Sequence, residues 1–144
     1  CEIGNHSFSH ADLTKMSKEA CKKEIDDANA ELQRVLGHDA SVVRPPYGFY
    51  NEAVQSIVSY PLVLWTLDTE DWYPRDAGAL SRYVVKHAKD GCIILMHDQQ
   101  KSTASAMETI VPALIERGFK LVTVSELMAQ ADHEFGAGAV FSGW

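Results

Sequence analysis

The chain has 144 residues, 46% of them hydrophobic and 23% charged, the balance of one globular domain with room for a core. Thirteen Lys plus Arg against twenty Asp plus Glu leave a net charge of −7, which repels phosphate backbones and sets nucleic acid aside as a partner. No apolar run approaches the roughly eighteen residues of a membrane span, no signal peptide is expected, and Cys1, Cys21 and Cys92 form no CxxC pair, leaving one disulfide plus a free thiol or three free thiols.

In chain order, Cys1-Glu-Ile-Gly reads as a strand end running directly into a histidine pair. The segment 17–36 predicts a helix, with Ser17 as N-cap and Gly37 as stop, and an apolar stripe of Ile25, Ala28, Leu32 and Val35. Ser41-Val-Val43 predicts a short strand, and Asn51 caps a brief helix through Val58. The apolar run from Pro61 to Leu67 predicts one strand covered on both faces. Asp76 starts a helix to about Lys89, with Leu80, Tyr83, Val84 and His87 inward, and Cys92 to Met96 form the next buried strand. Thr103 opens a helix to Gly118 in which Pro112 predicts a kink or a broken turn. Phe119 to Val124 reads as the last strand, Ser125 as the cap of a short helix, and the tail after Asp132 as loop or edge strand. Such alternation predicts an α/β fold with a parallel sheet and right-handed crossovers, built as a single unit over residues 1–144.

Four polar clusters follow predicted strands at their C-terminal ends, the edge where parallel α/β folds build sites: His6-Ser-Phe-Ser-His10, Arg44-Pro-Pro-Tyr-Gly48, Asp68-Thr-Glu-Asp-Trp72 and His97-Asp98. In a helical turn, His6 and His10 would face one side and hold one metal ion; the spacing alone more often describes two surface or hydrogen-bonded histidines. A third ligand would have to come from elsewhere. Asn5-His-Ser7 fits a glycosylation sequon, discounted because a sugar there would block the histidines. The prolines hold Arg44 extended, either as a rigid partner for a carboxylate or as an exposed turn. Three carboxylates within Asp68 to Asp71 invite a glycosidase reading, though a solvated acidic loop is the commoner outcome, and Trp72 by itself suits a core better than a sugar. His97, leaving a buried strand, is placed for acid or base work or for a core hydrogen bond.

In this order the clusters resemble the polysaccharide deacetylase family, also called carbohydrate esterase family four or the NodB-homology domain. The HSFSH run matches its metal-binding motif, RPPYG its arginine motif, DTEDW its aspartate–tryptophan motif and ILMHD its leucine–histidine motif, and the wording is most similar to bacterial peptidoglycan N-acetylglucosamine deacetylases. The resemblance implies a distorted (β/α) barrel of parallel strands. It also implies a divalent ion on His6 and His10, zinc first, with cobalt, manganese or nickel as substitutes. Arg44 would hold a base aspartate, the Tyr47 N–H would stabilise the oxyanion, His97 would be the general acid and Asp71 would orient it. Trp72, Leu95 and Tyr47 would contact the substrate, an N-acetylated polysaccharide outside a bacterial cell or on its surface.

The family's opening Asp-Asp-Gly motif, source of the base and the third metal ligand, is not in these 144 residues. The resemblance therefore implies the C-terminal portion of the domain, its first strands missing from this chain and belonging to an N-terminal segment, either removed or carried as a separate chain. Either a companion segment or a large groove is then expected beside the strand preceding His6. An O-deacetylase of the acetylxylan esterase type and a non-catalytic carbohydrate-binding remnant are the alternatives.

Overall fold

The computed structural model describes residues 1–73, 76–132 and 134–144. They form two compact units, residues 1–64 with 123–141, and residues 65–122 with 142–144.

In the first unit, α1 (Lys18–Leu36) begins where the Ser17 hydroxyl accepts the Ala20 N–H and ends at Gly37, which is left-handed and donates to the Gln33 carbonyl. Asn51 caps α2 (Glu52–Ile57) through the Val54 N–H. β1 (Leu62–Val63) pairs in parallel with β4 (Val140–Phe141), and isolated parallel bridges join Val43 to Leu62 and Asn5 to Val43. These pairings line up as one narrow parallel sheet in the order Asn5, Val43, β1, β4. Leu13, Cys21, Ile25, Val43, Val54, Val58 and Leu62 form the core.

The buried face of α1 is Cys21, Ile25 and Asn29, rotated from the expected stripe: Ala28 and Leu32 are only half-buried and Val35 is 66% exposed. The cause is polar, because the buried Asn29 accepts a hydrogen bond from the Asn5 amide at 2.9 Å and turns this side of α1 to the sheet. Ala28, Leu32 and Val35 instead line a groove of about 460 Å³ with Ile3 and Phe8. That groove lies beside the segment preceding His6.

In the second unit, β2 (Leu67–Asp68) pairs in parallel with β3 (Ile94–Leu95), and Cys92 bridges Gly143 in the antiparallel sense. The run from Pro61 to Leu67 is not the single strand expected. Between β1 and β2 the Thr66 hydroxyl takes the Ile93 N–H at 3.0 Å, while the Thr66 and Leu67 N–H groups share the Ile93 carbonyl, which breaks the ladder. Helices α3 (Ala77–His87) and α4 (Lys101–Glu116) pack through Leu80, Val84, Ala88, Ala106, Ile110 and Leu114. Asp76 caps α3 as expected, but His87 is exposed, its ring against Tyr83 at 4.4 Å, and the buried polar position is Ser81, which donates to Ala77 and Ala106. α4 runs through Pro112 as one helix and starts two residues before Thr103.

Phe119 to Val124 is not a strand; Leu121 and Val122 are exposed. The short helix α5 (Val124–Met128) starts at Thr123 rather than Ser125, because Thr123 and Glu126 make a reciprocal capping box. The expected tail begins at His133, outside the described residues, and ends in the paired β4. All three cysteines are free thiols. Among the described residues, no helix is long and apolar enough to cross a membrane.

Gly138 has φ +69, and a Cβ there would overlap the Gln55 carbonyl oxygen, whereas Gly37, at φ +80, has open space around it. Gly37→Ala should therefore cost only about 1 kcal/mol of left-handed strain, and Gly138→Ala about 3 kcal/mol or more, compared by urea denaturation.

Candidate active site

The first cluster is built on Asn5, which is 1% exposed. Its amide nitrogen donates to the Ile25 carbonyl and to Asn29 Oδ1, each at 2.9 Å, and its side-chain oxygen accepts the Ser7 N–H at 2.8 Å. Its backbone bonds both ways to the neighbouring strand, Asn5 N–H to the Val42 carbonyl and Arg44 N–H to the Asn5 carbonyl. The sequon is thus spent as an internal anchor. His6 and His10 do converge, with ring centroids 4.9 Å apart, though not through a helical turn. Ser7 and His10 take positive φ, 61° and 59°, and the loop closes through His10 N–H to Ser7 Oγ and through Ser9 N–H and Oγ to the Glu24 carboxylate.

His6 Nδ1 lies 2.6 Å from the Arg44 carbonyl oxygen. A carbonyl only accepts, so Nδ1 carries the hydrogen and a neutral ring has its lone pair on Nε2, the arrangement of a metal-ligating histidine held by a backbone acceptor. Two imidazoles this close suit two positions around zinc or cobalt. Among the described residues, no group of three or more His, Cys, Asp or Glu side chains could hold an ion, so the pair fits as a partial ligand set.

Pro45 and Pro46 are buried and fix the turn after Arg44. Burial holds the Arg44 guanidinium below its usual pKa, and among the described residues no carboxylate lies within ion-pair distance of it. Tyr47 stands at φ 59°, its ring 57% exposed and packed on His10 at 4.8 Å.

The second cluster stands by itself on β2 and β3. The Asp68 carboxylate accepts the Glu70 N–H, Glu70 takes φ 48°, and the Thr69 hydroxyl donates to the Leu95 carbonyl at 2.7 Å. This tight turn drives Asp71 inward to 2% exposure. There the carboxylate accepts three hydrogen bonds of 2.7 Å: Oδ1 from His97 Nδ1, and Oδ2 from the His97 N–H and the Thr103 hydroxyl. Burial alone would push the Asp71 carboxyl up; the bonds from Thr103 and His97 outweigh it and hold the group below the ordinary carboxylate range. His97 is therefore in hydrogen-bond reach of Asp71, as its strand-end position suggested. Trp72 is 60% exposed, Leu95 is buried, and Asp68 and Asp98 remain in solvent. Asn5 and Thr103 are the residues sequence reasoning missed: Asn5 read as a sequon and Thr103 as a helix start. The T-x-x-E capping signal at Thr123 was legible, but Ser125 was the cap named.

The described polysaccharide deacetylase family model matches residues 1–62. The chain is 38% identical over 88% of its length to the peptidoglycan-N-acetylmuramic acid deacetylase PdaC of Bacillus subtilis, and 36% identical over 90% to the peptidoglycan-N-acetylglucosamine deacetylase PgdA of Listeria monocytogenes. It spans only 27% and 28% of those two proteins. Among solved structures, a family 4 acetyl xylan esterase from Clostridium thermocellum, in complex with a cobalt ion, superposes with a TM-score of 0.91 at 31% identity, over 99% of this chain and 72% of that one.

The bonds to Asp71 have a pH signature. Because its folded pKa is depressed, their stabilisation is present above the unfolded value near ~3.9 and is lost as pH falls through the lower folded value. Thr103→Val should cost about 1–3 kcal/mol at neutral pH. That penalty should shrink below about pH 4, where Asp71 of the variant is protonated first, as read by denaturation at several pH values.

Proposed function

We propose that this chain, which belongs to the polysaccharide deacetylase family (carbohydrate esterase family 4), carries part of the active site of a divalent-metal-dependent hydrolase that removes N-acetyl groups from N-acetylglucosamine residues of a polysaccharide. Peptidoglycan is the polymer this reading favours, since the two curated relatives described above are named for it. Peptidoglycan lies outside the cytoplasmic membrane, so the reading puts the activity outside the cell or on its surface.

The observation that carries the reading is the buried Asp71 holding His97 at Nδ1. A carboxylate accepts only, so Nδ1–H donates to Asp71, and Nε2 is left as the nitrogen that carries the proton to give when the ring is cationic. Hydrolysis of an acetamide adds water to the acetyl carbon, breaks the C–N bond and expels an amine that must leave protonated. His97 supplies that proton from Nε2, while Asp71, anchored by Thr103, fixes the ring. Thr103 is thus a positioning residue. His6 and His10 are the ligands this chain offers to an ion, zinc first. When bound, the ion supplies Lewis-acid polarisation and an activated water.

Tyr47 gives its backbone N–H to the oxyanion. Arg44, half-buried behind Pro45 and Pro46, would hold the carboxylate that takes the water's proton. Trp72 and Leu95 wall the acetyl methyl.

An O-deacetylase is the second reading, favoured by the similarity to an acetyl xylan esterase. Leaving-group chemistry separates the two, because an alcohol departs with less help than an amine. His97→Ala in the full-length protein should cut acetate release from chitotetraose by roughly a hundred- to ten-thousand-fold, leaving zinc content unchanged. A wild-type enzyme that releases acetate only from acetylated xylan would favour the second reading. Loss of zinc in the variant would instead make His97 a ligand. Separately, His6→Ala with His10→Ala should abolish zinc retention on dialysis while leaving the circular dichroism of the chain intact.

A further inference from the structure

The rings around the histidine pair do not stop at Tyr47. From His10 the Tyr47 ring is 4.8 Å away, and Phe49 follows at 5.7 Å, tilted 36° from Tyr47. Tyr47 and Phe49 are each more than half exposed, and Tyr50 is 39% exposed. None of the three is among the buried residues of the unit's core cluster, Leu13, Cys21, Ile25, Val43, Val54, Val58 and Leu62. Three exposed rings within four residues form an apolar patch that packing does not require.

Beside them is a hollow of about 500 Å³, within the range of small-molecule sites, whose wall includes Phe49, Tyr50, Asn51, Asp12 and Lys15. Its polar side is a charge pair, Lys15 Nζ to Asp12 Oδ2 at 3.0 Å. Asp12 is fixed by accepting from the Thr14 N–H and hydroxyl, while the Lys15 side chain is 80% exposed. The pair contributes donors and acceptors with no net charge. This combination of aromatic face and neutral polar rim selects a ligand of the same construction. A pyranose has one, with axial C–H groups on its face and hydroxyls at its edge. A phosphate or a carboxylate would gain nothing from the rings and would meet Asp12.

We infer that Phe49, together with the Asp12–Lys15 pair that lines the same hollow, forms a flanking subsite for a neutral sugar residue of the polysaccharide, adjoining the residue presented to His6 and His10. The inference rests on the deacetylase reading for the identity of the chain. Tyr47 joins the two positions, since its ring touches both His10 and Phe49. Phe49 is then a specificity-determining residue that selects for chain length.

The test uses the full-length, metal-loaded enzyme with chitotetraose and with N-acetylglucosamine. Phe49→Ala should raise Kd and KM for chitotetraose roughly three- to tenfold, the range of one aromatic stack, with kcat unchanged and the monomer unaffected. Phe49→Tyr, which keeps the ring, should bind as the wild type does. Phe49→Leu keeps apolar volume without a flat face and should behave like the alanine variant, which covers the case in which alanine disturbs the fold. Unchanged chitotetraose binding in both Ala and Leu variants would overturn the subsite, as would an equal loss for tetramer and monomer. Ring-dependent binding of chitotetraose without any acetate release would leave the subsite standing and overturn the deacetylase reading instead.

Discussion

Everything on the histidine side of this molecule depends on one buried amide. Asn5 is the point where the first strand segment, α1 and the HSFSH loop are tied together, and each polar atom of its side chain is used. A buried amide with fewer partners would cost about 1–3 kcal/mol per orphaned group, so the arrangement is strongly preferred to near alternatives. Its consequence reaches α1, where Asn29 must face the sheet and the Ala28–Leu32–Val35 stripe must turn aside. It also reaches His6, whose backbone direction follows from Asn5 pairing with Val42 and Arg44.

The other unit solves a similar problem with a charge. Asp71 is withdrawn from water, and such a group is tolerated only when its lone pairs are met. Three donors meet them, two from His97 and one from Thr103, which comes from the first turn of α4. The helix therefore has a polar reason to start where it does, although Gln100 at its N-cap makes no side-chain cap bond. The adjoining Asp68–Glu70 turn is local and cheap; its function is to aim Asp71 inward.

The helices and the order of clusters were legible because their signals are local. Ser17 and Gly37, Asn51, and Asp76 each sit within a few residues of the backbone groups they satisfy. Asn5 and Thr103 were not legible, since their partners lie 20 to 32 residues away and neither the sequon pattern nor a helix-start threonine reports burial. The α1 stripe misled for the same reason: apolar periodicity predicts which face is greasy, and a distant amide chose the face that is buried. The run from Phe119 to Val124 has strand composition, but strand pairing needs a neighbour, and composition carries no information about one. His6 and His10 converge for a reason that helical spacing does not supply, namely two positive-φ residues held by Asn5, Ser7 and Glu24.

Under the proposed function, His6 and His97 would show how one side chain acquires two jobs from its acceptor. Both rings are fixed at Nδ1 and at nearly the same distance, 2.6 Å and 2.7 Å, so geometry does not separate them. What differs is charge. The Arg44 carbonyl fixes the tautomer of His6 without adding a formal charge, which suits a neutral donor to a cation, and a carboxylate in its place would compensate the ion instead. Asp71 fixes His97 with a full negative charge that is itself kept ionised by Thr103, which suits a ring that must hold a second proton before giving it up. Exchange of the two acceptors would put the charge beside the wrong ring. In that reading the division of labour is written in the partners of Nδ1 rather than in the histidines, and those partners are a peptide carbonyl and an aspartate that is one of three acidic residues within four positions.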